Sequence, residues 1–202
     1  MTLKLGVLVS GSGSNLQAIL DAIKHDTLDA ECRLVVSNKP DAYALTRARE
    51  ARIPFVALDH KKFAHREAFD RQLVEHLKEA GVECVALAGF MRVLTPLFLE
   101  SFPNNVVNIH PSLLPAFPGV NAQKQAFDYG VRVTGCTVHF VDNGVDTGPI
   151  ILQGAVNVEQ DDSVENLRDR ILKTEHRLFV EGLSLIAQGR VSVKDRRVTI
   201  RA

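Results

Sequence analysis

Across its first 110 residues the chain alternates short apolar runs with stretches of helical periodicity, and that alternation admits few folds. Residues 3–10 form a β-rich run that stops at Gly11-Ser12-Gly13-Ser14, after which Asn15-Leu16-Gln17-Ala18-Ile19-Leu20 opens a helical pattern. A second strand is expected over 33–37, with Val35 and Val36 at its centre, and Asp41 is placed to cap a helix over 42–51. Residues 54–58 read as a third, short strand. Phe69, Leu73 and Leu77 recur every four residues, laying one apolar stripe along a helix over 65–79. The run 84–88, apolar after its cysteine and bounded by Gly81 and Gly89, has the length of a strand covered on both faces. Thr95-Pro96 signals another helix start, and 106–110 is the next strand. Strands and helices in this order pack as a parallel sheet with helices on both faces.

After residue 110 the pattern changes. A helix is expected over 122–129, ended by Gly130, followed by strands over 133–141 and 150–158 that flank the loop 142–149 and pair antiparallel. Asp162 with Glu165 makes a capping-box pattern for a long helix reaching about residue 188, and a hairpin, 191–194 with 197–200, follows. The expected class is therefore α/β: a Rossmann-like, mostly parallel twisted sheet with helices on both faces and an antiparallel addition in the C-terminal half. No repeat, low-complexity tract or linker interrupts the chain, so residues 1–202 are expected to form one domain with two lobes, about 1–105 and about 106–202.

Charge narrows the function. With 24 Lys and Arg against 24 Asp and Glu, nothing advertises a nucleic acid or an anionic membrane as partner. Cys32, Cys84 and Cys136 are odd in number and widely spaced among apolar neighbours, which suits buried free thiols in a reducing compartment. The first apolar run is too short for a signal peptide, and no later run approaches the roughly 20 residues of a spanning helix. A cytoplasmic location is the expectation.

The glycine loop Gly11-Ser12-Gly13-Ser14-Asn15 follows a strand and opens a helix, so unpaired backbone N–H groups and the positive helix end converge on one spot. The dinucleotide fingerprint needs a third glycine where this chain has Leu16, and an acid after the second strand where it has Asn38-Lys39. No Gly-Lys-Ser/Thr follows either, so two readings stand: a monophosphate-sized site, or a tight turn alone.

The stretch Asn108-Ile109-His110-Pro111-Ser112-Leu113-Leu114-Pro115-Ala116-Phe117-Pro118 reads as a buried strand ending in a loop stiffened by three prolines. Residues two apart on a strand share a side, so Asn108 and His110 point together. Strand carboxyl ends are where open α/β sheets bind ligands. Asp146, in a loop containing Gly144 and Gly148, is the candidate carboxylate to orient the imidazole and favour its charged form. Asn108 could then bond an oxygen that turns negative in a tetrahedral intermediate. The three together describe acyl transfer without a covalent enzyme intermediate. His60 and His65 are not spaced as a metal pair, His139 is expected in the core or behind the site, and no Gly-x-Ser-x-Gly elbow occurs.

Taken in order, Gly11-Ser12-Gly13-Ser14-Asn15-Leu16, Ala88-Gly89-Phe90-Met91-Arg92-Val93-Leu94, Asn108 to Pro115, Asp142 to Pro149 and Thr174-Glu175-His176 resemble the phosphoribosylglycinamide formyltransferases, of the folate-dependent formyltransferase family. The likeness runs from about residue 3 to about 188. It implies that Gly13, Ser14 and Asn15 hold the phosphate of glycinamide ribonucleotide, with Glu175 on its ribose. It also implies that Arg66, Met91, Arg92, Val93, Leu94, Asp142, Asn143, Gly144 and Val145 line the site for 10-formyltetrahydrofolate, and that Asn108, His110 and Asp146 are catalytic. The implied activity is transfer of the formyl group to the ribonucleotide amine in de novo purine biosynthesis. It needs no metal, has only small-molecule partners, and is carried by a monomer or homodimer.

Two departures from that pattern matter. Ala116 stands where better-known members carry lysine or another polar residue, and Asn121 where some carry histidine. Ala116-Phe117 also fits formyltetrahydrofolate deformylase, a hydrolase that resembles this core but has an added N-terminal domain and a second histidine where this chain has Pro111. Methionyl-tRNA formyltransferase is a more distant likeness that would need an RNA-binding C-terminal domain. A nucleotide-binding domain without chemistry is the remaining alternative, and it leaves the coexistence of Asn108, His110 and Asp146 unexplained.

Overall fold

Strand β1 (Leu3–Val9) is buried from Leu5 onward, and a run buried on both faces belongs mid-sheet under helices on either side. The computed structural model, which describes residues 2–202, places it so. Helix α1 (Ser14–Lys24), β2 (Ala30–Ser37), α2 (Tyr43–Glu50), β3 (Phe55–Ala57), α3 (Arg66–Glu79), β4 (Cys84–Leu87), α4 (Pro96–Ser101) and β5 (Val106–His110) alternate as the apolar pattern requires. After them come α5 (Ala122–Tyr129), β6 (Val133–Phe140), β7 (Ile150–Asn157), α6 (Val164–Ala187) and a hairpin of β8 (Val191–Lys194) and β9 (Arg197–Ile200). Seven strands form one sheet in the order β3-β2-β1-β4-β5-β6-β7, to which both halves of the chain contribute. The first five are parallel, whereas β6 runs antiparallel to β5 and β7 antiparallel to β6.

The period of two along β1 divides the core. Leu5, Val7 and Val9 join one apolar cluster with Leu16 and Ile19 of α1 and Ile171, Phe179 and Leu183 of α6. Leu8 points to the other face, against Phe69, Leu73 and Leu77 of α3 and Phe98 of α4. The stripe read at every fourth residue of α3 is therefore the face that packs on the sheet.

Two caps differ from expectation. Asp41 does not cap α2: the preceding residue is Ala42, and the Ala44 N–H bonds the carbonyl of Gly11 at 3.0 Å. The glycine loop thus supplies the acceptor that Asp41 was expected to give. At α6 the cap is Ser163, whose hydroxyl accepts from the Asn166 N–H at 3.1 Å. Asp162 instead takes both guanidinium nitrogens of Arg170 at 2.7 Å and the Glu159 N–H at 2.8 Å. Two charge-assisted bonds and a turn N–H outcompete a single helix N–H.

Leu73 is fully buried in the α3 stripe, so Leu73→Ala should lower unfolding free energy by about 2–5 kcal/mol in urea titration. A loss under about 1 kcal/mol would mean that the stripe is not packed as described.

Candidate active site

The carboxyl ends of β1, β4 and β5 open onto a single cleft of about 660 Å³, within the ~300–1,000 Å³ usual for small-molecule sites. Gly11 to Asn15 form one end of its wall, and Asn108, His110 and Asp146 stand in the same wall.

The glycine loop has the geometry of an anion cradle. Gly13, at φ 72°, directly precedes α1, and no side chain caps the helix, so its first N–H groups are left for a ligand. A side chain at Gly13 would strike Ala44, with an added Cβ 2.6 Å from its Cβ and 2.8 Å from its Cα. Arg47 fixes the loop from behind, donating from Nε to the Ser12 carbonyl at 2.8 Å. Beside the cradle, Asn15 Nδ2 donates to Glu175 Oε2 at 2.8 Å, joining the first turn of α1 to the middle of α6. Glu175 is buried, and this desolvation raises its pKa although the Asn15 bond and Arg168 oppose the rise.

At the end of β5, His110 is buried with both ring nitrogens engaged. Nε2–H donates to the Phe117 carbonyl at 2.9 Å, and Nδ1 lies 3.3 Å from Asp146 Oδ2. The proton that can be held against Asp146 or released toward a ligand is therefore the one on Nδ1. Asp146 is held in turn: its Oδ2 accepts the Gly119 N–H at 2.7 Å, and its backbone takes the left-handed conformation at φ 55°. The loop that carries it is tight. Asp142 Oδ1 accepts from the Gly144 N–H at 3.1 Å and the Thr147 hydroxyl at 2.6 Å, and any side chain at Gly148 would run into the Phe140 carbonyl. These contacts present the carboxylate to the strand end.

The strip from Met91 to Leu94 is pinned at both ends. The Met91 N–H bonds the Ser10 hydroxyl at 2.8 Å, and the Thr95 N–H bonds buried Asp70 at 2.6 Å. Met91, Val93, Val120 and Val145 line the cleft with exposed apolar side chains, a lip suited to a flat, partly apolar ligand. Arg66 and Asn143, expected beside a folate, stand outside the wall. Arg66 is the exposed first residue of α3, and Asn143 is the exposed tip of the Asp142 turn. His139, read from the sequence as a core or background residue, lies in the wall itself, with Nε2 3.1 Å from Asn108 Nδ2. Gln123, Lys124, Arg168 and Leu172 also line the cleft and were not expected there from the sequence. The 3.6-residue period that places Leu172 and Glu175 on one face of α6 could have suggested Arg168. Among the described residues, no group of three His, Cys, Asp or Glu side chains is arranged to hold a metal.

A strand-end amide, imidazole and carboxylate that share one cleft with an uncapped helix N-terminus, on a doubly wound α/β sheet, define a site of the group-transfer class. The chain belongs to the formyl transferase family, whose profile matches residues 3–183. It is 44% identical over 176 residues to the phosphoribosylglycinamide formyltransferase of Bacillus subtilis, covering 87% of this chain and 90% of that one. It is also 48% identical over 188 residues to the trifunctional purine biosynthetic protein adenosine-3 of Drosophila melanogaster, of whose length it spans only 14%. The crystal structure of glycinamide ribonucleotide transformylase 1 from Symbiobacterium toebii superposes with a TM-score of 0.98 at 51% identity, covering 100% of this chain and 95% of that one.

Burial makes the charged form of Glu175 unfavourable in the free protein. Its folded pKa is raised, so its stability contribution is most favourable below the ordinary carboxylate range and declines as pH rises through the raised value. Glu175→Gln keeps an acceptor for Asn15 without the charge. Thermal melts of the free protein should therefore show the variant more stable than wild type at pH 7, the difference vanishing below the ordinary carboxylate pKa. Equal stability at pH 7 would refute the burial cost.

Proposed function

We propose that this protein transfers the formyl group of 10-formyltetrahydrofolate to the free amine of glycinamide ribonucleotide, a step of de novo purine biosynthesis. The observation that carries the reading is the convergence of Asn108, His110 and Asp146 in one cleft with the cradle at Gly13, Ser14 and Asn15. The names of the relatives at 44% and 51% identity support the same substrates.

In this reading the ribonucleotide phosphate sits on the first-turn N–H groups of α1, and the Glu175 carboxylate takes its ribose hydroxyls. The folate lies against Met91 to Leu94 and the loop containing Asp142, Gly144 and Val145. The amine nitrogen attacks the formyl carbon, and the carbonyl π bond becomes an oxyanion. Asn108 Nδ2 donates to that oxygen, the positive charge of the His110 imidazolium stabilises it, and Asp146 holds the ring in place. The amine then loses a proton, the bond from carbon to folate nitrogen breaks, and that nitrogen gains a proton through His110 Nδ1 or water. The products are the formylated ribonucleotide and tetrahydrofolate. We place the reaction in the cytoplasm, where buried free thiols such as Cys32, Cys84 and Cys136 persist.

Transfer measured with and without glycinamide ribonucleotide tests this directly. Tetrahydrofolate production only when the ribonucleotide is present is the expected result. Formate release in its absence would make the protein a hydrolase, and no turnover would leave a binding domain. In the working assay His110→Ala should lower kcat by roughly 10² or more, the range of a lost acid–base group. An unchanged kcat would remove His110 from the chemistry.

A further inference from the structure

Asn108 pairs with His139 across the β5–β6 ladder, and their side chains meet where Asn108 Nδ2 lies 3.1 Å from His139 Nε2. On the other side of the ring, His139 Nδ1 lies 2.8 Å from the Phe140 carbonyl. A carbonyl only accepts, so Nδ1 carries a proton. His139 is 2% exposed, and burial holds its pKa below the ordinary histidine value, outweighing the Phe140 bond and the pull of Asp146. The ring is therefore neutral, and Nε2 offers a lone pair. Only the NH₂ side of the Asn108 amide can meet that lone pair. One amide hydrogen is thereby committed to His139, and among the described residues no protein group takes the second.

We propose that His139 is a positioning residue for the transfer: by accepting one Asn108 hydrogen it sets the flip of the amide, so that the other N–H faces the formyl oxygen. The reverse flip would set the amide carbonyl against an oxygen that is gaining negative charge. This rests on the formyl-transfer reading and adds to it a residue outside both the strand-end motif and the carboxylate loop. The titratable groups facing His139 are His110 at the end of β5 and Asp142 and Asp146 in the loop after β6. Asp146 Oδ1 stands 3.8 Å from Nε2, beyond hydrogen-bond reach. Protonation would turn Nε2 into a donor toward that carboxylate and release Asn108. Activity should then fall at a pH below the ordinary histidine range.

A double-mutant cycle with Asn108→Ala reads this coupling. His139→Leu should lower kcat about 10- to 100-fold in the wild-type background, as for a mis-set oxyanion donor, with KM for both substrates little changed. In the Asn108→Ala background the same change should lower kcat less than about twofold, because the residue it acts through is gone. Equal losses in both backgrounds would overturn the proposal. If the Leu variant does not fold, His139→Gln decides, since its amide oxygen can accept from Asn108 but cannot titrate. A kcat within about threefold of wild type near neutral pH, with the acid limb lost, supports the proposal. A Gln variant that keeps the limb, or loses as much as Leu should, overturns it. Nitrogen-15 spectra of the labelled ring give a readout apart from activity, and a protonated Nε2 at neutral pH would equally defeat the proposal. A protein that transfers no formyl group overturns the functional reading and this inference together, whereas additive losses in a working enzyme overturn only the inference.

Discussion

Asp146 reaches His110 Nδ1, at 3.3 Å, because the loop after β6 brings its carboxylate against the two rings, His110 and His139, that β5 and β6 present on one face of the sheet. Because β6 runs antiparallel to β5, it ends beside Val106 and Val107, at the amino end of that strand, and the loop 142–149 must turn back toward His110 before β7 begins. The loop that follows is then held by its own bonds: the Asp142 turn, the close approach at Gly148 and the Gly119 N–H on the carboxylate. Without that turn the imidazole would face the cleft with no partner charge. Everything assigned to the site, from the proton on Nδ1 to the orientation of Asn108, depends on the register of β6 against β5 and on the turn of the loop that follows it.

The glycine-loop end of the cleft depends on a different constraint, the close packing of the first loop on its neighbours. Gly13 has no room for a side chain against Ala44, and Gly11 caps α2 with its carbonyl while Arg47 grips Ser12. The loop is therefore shaped before any ligand arrives, and a preformed cradle spends little of its binding energy on ordering. Glu175 shows the opposite economy. It is a carboxylate buried at an energetic penalty with one amide partner, the condition expected of a group kept for a ligand rather than for stability.

Much of this was legible in the residues. The four-residue recurrence of Phe69, Leu73 and Leu77, the glycine loop between a strand and a helix, and the proline-rich stop after His110 each mark a local structure whose cause lies within a few neighbours. The misjudged caps at Asp41 and Asp162 went to competitors from elsewhere, a loop carbonyl in one case and an arginine eight residues on in the other. His139 was seen as buried but not as part of the site, because its role comes from its register against Asn108. Arg66 and Asn143 were expected beside a ligand from the family likeness alone, yet in the free protein both side chains are exposed outside the cleft wall.

Local pattern was enough to settle the element types, the parallel first half, the antiparallel return and the identity of the amide, imidazole and carboxylate. These follow from side-chain periodicity and turn chemistry, which act over a few residues. Strand order, the β5–β6 register and the depth at which Glu175 and His139 are buried were decided by tertiary packing. Those features bring together atoms tens of residues apart, and the distances, tautomers and desolvation that make a site reactive exist only once those atoms meet.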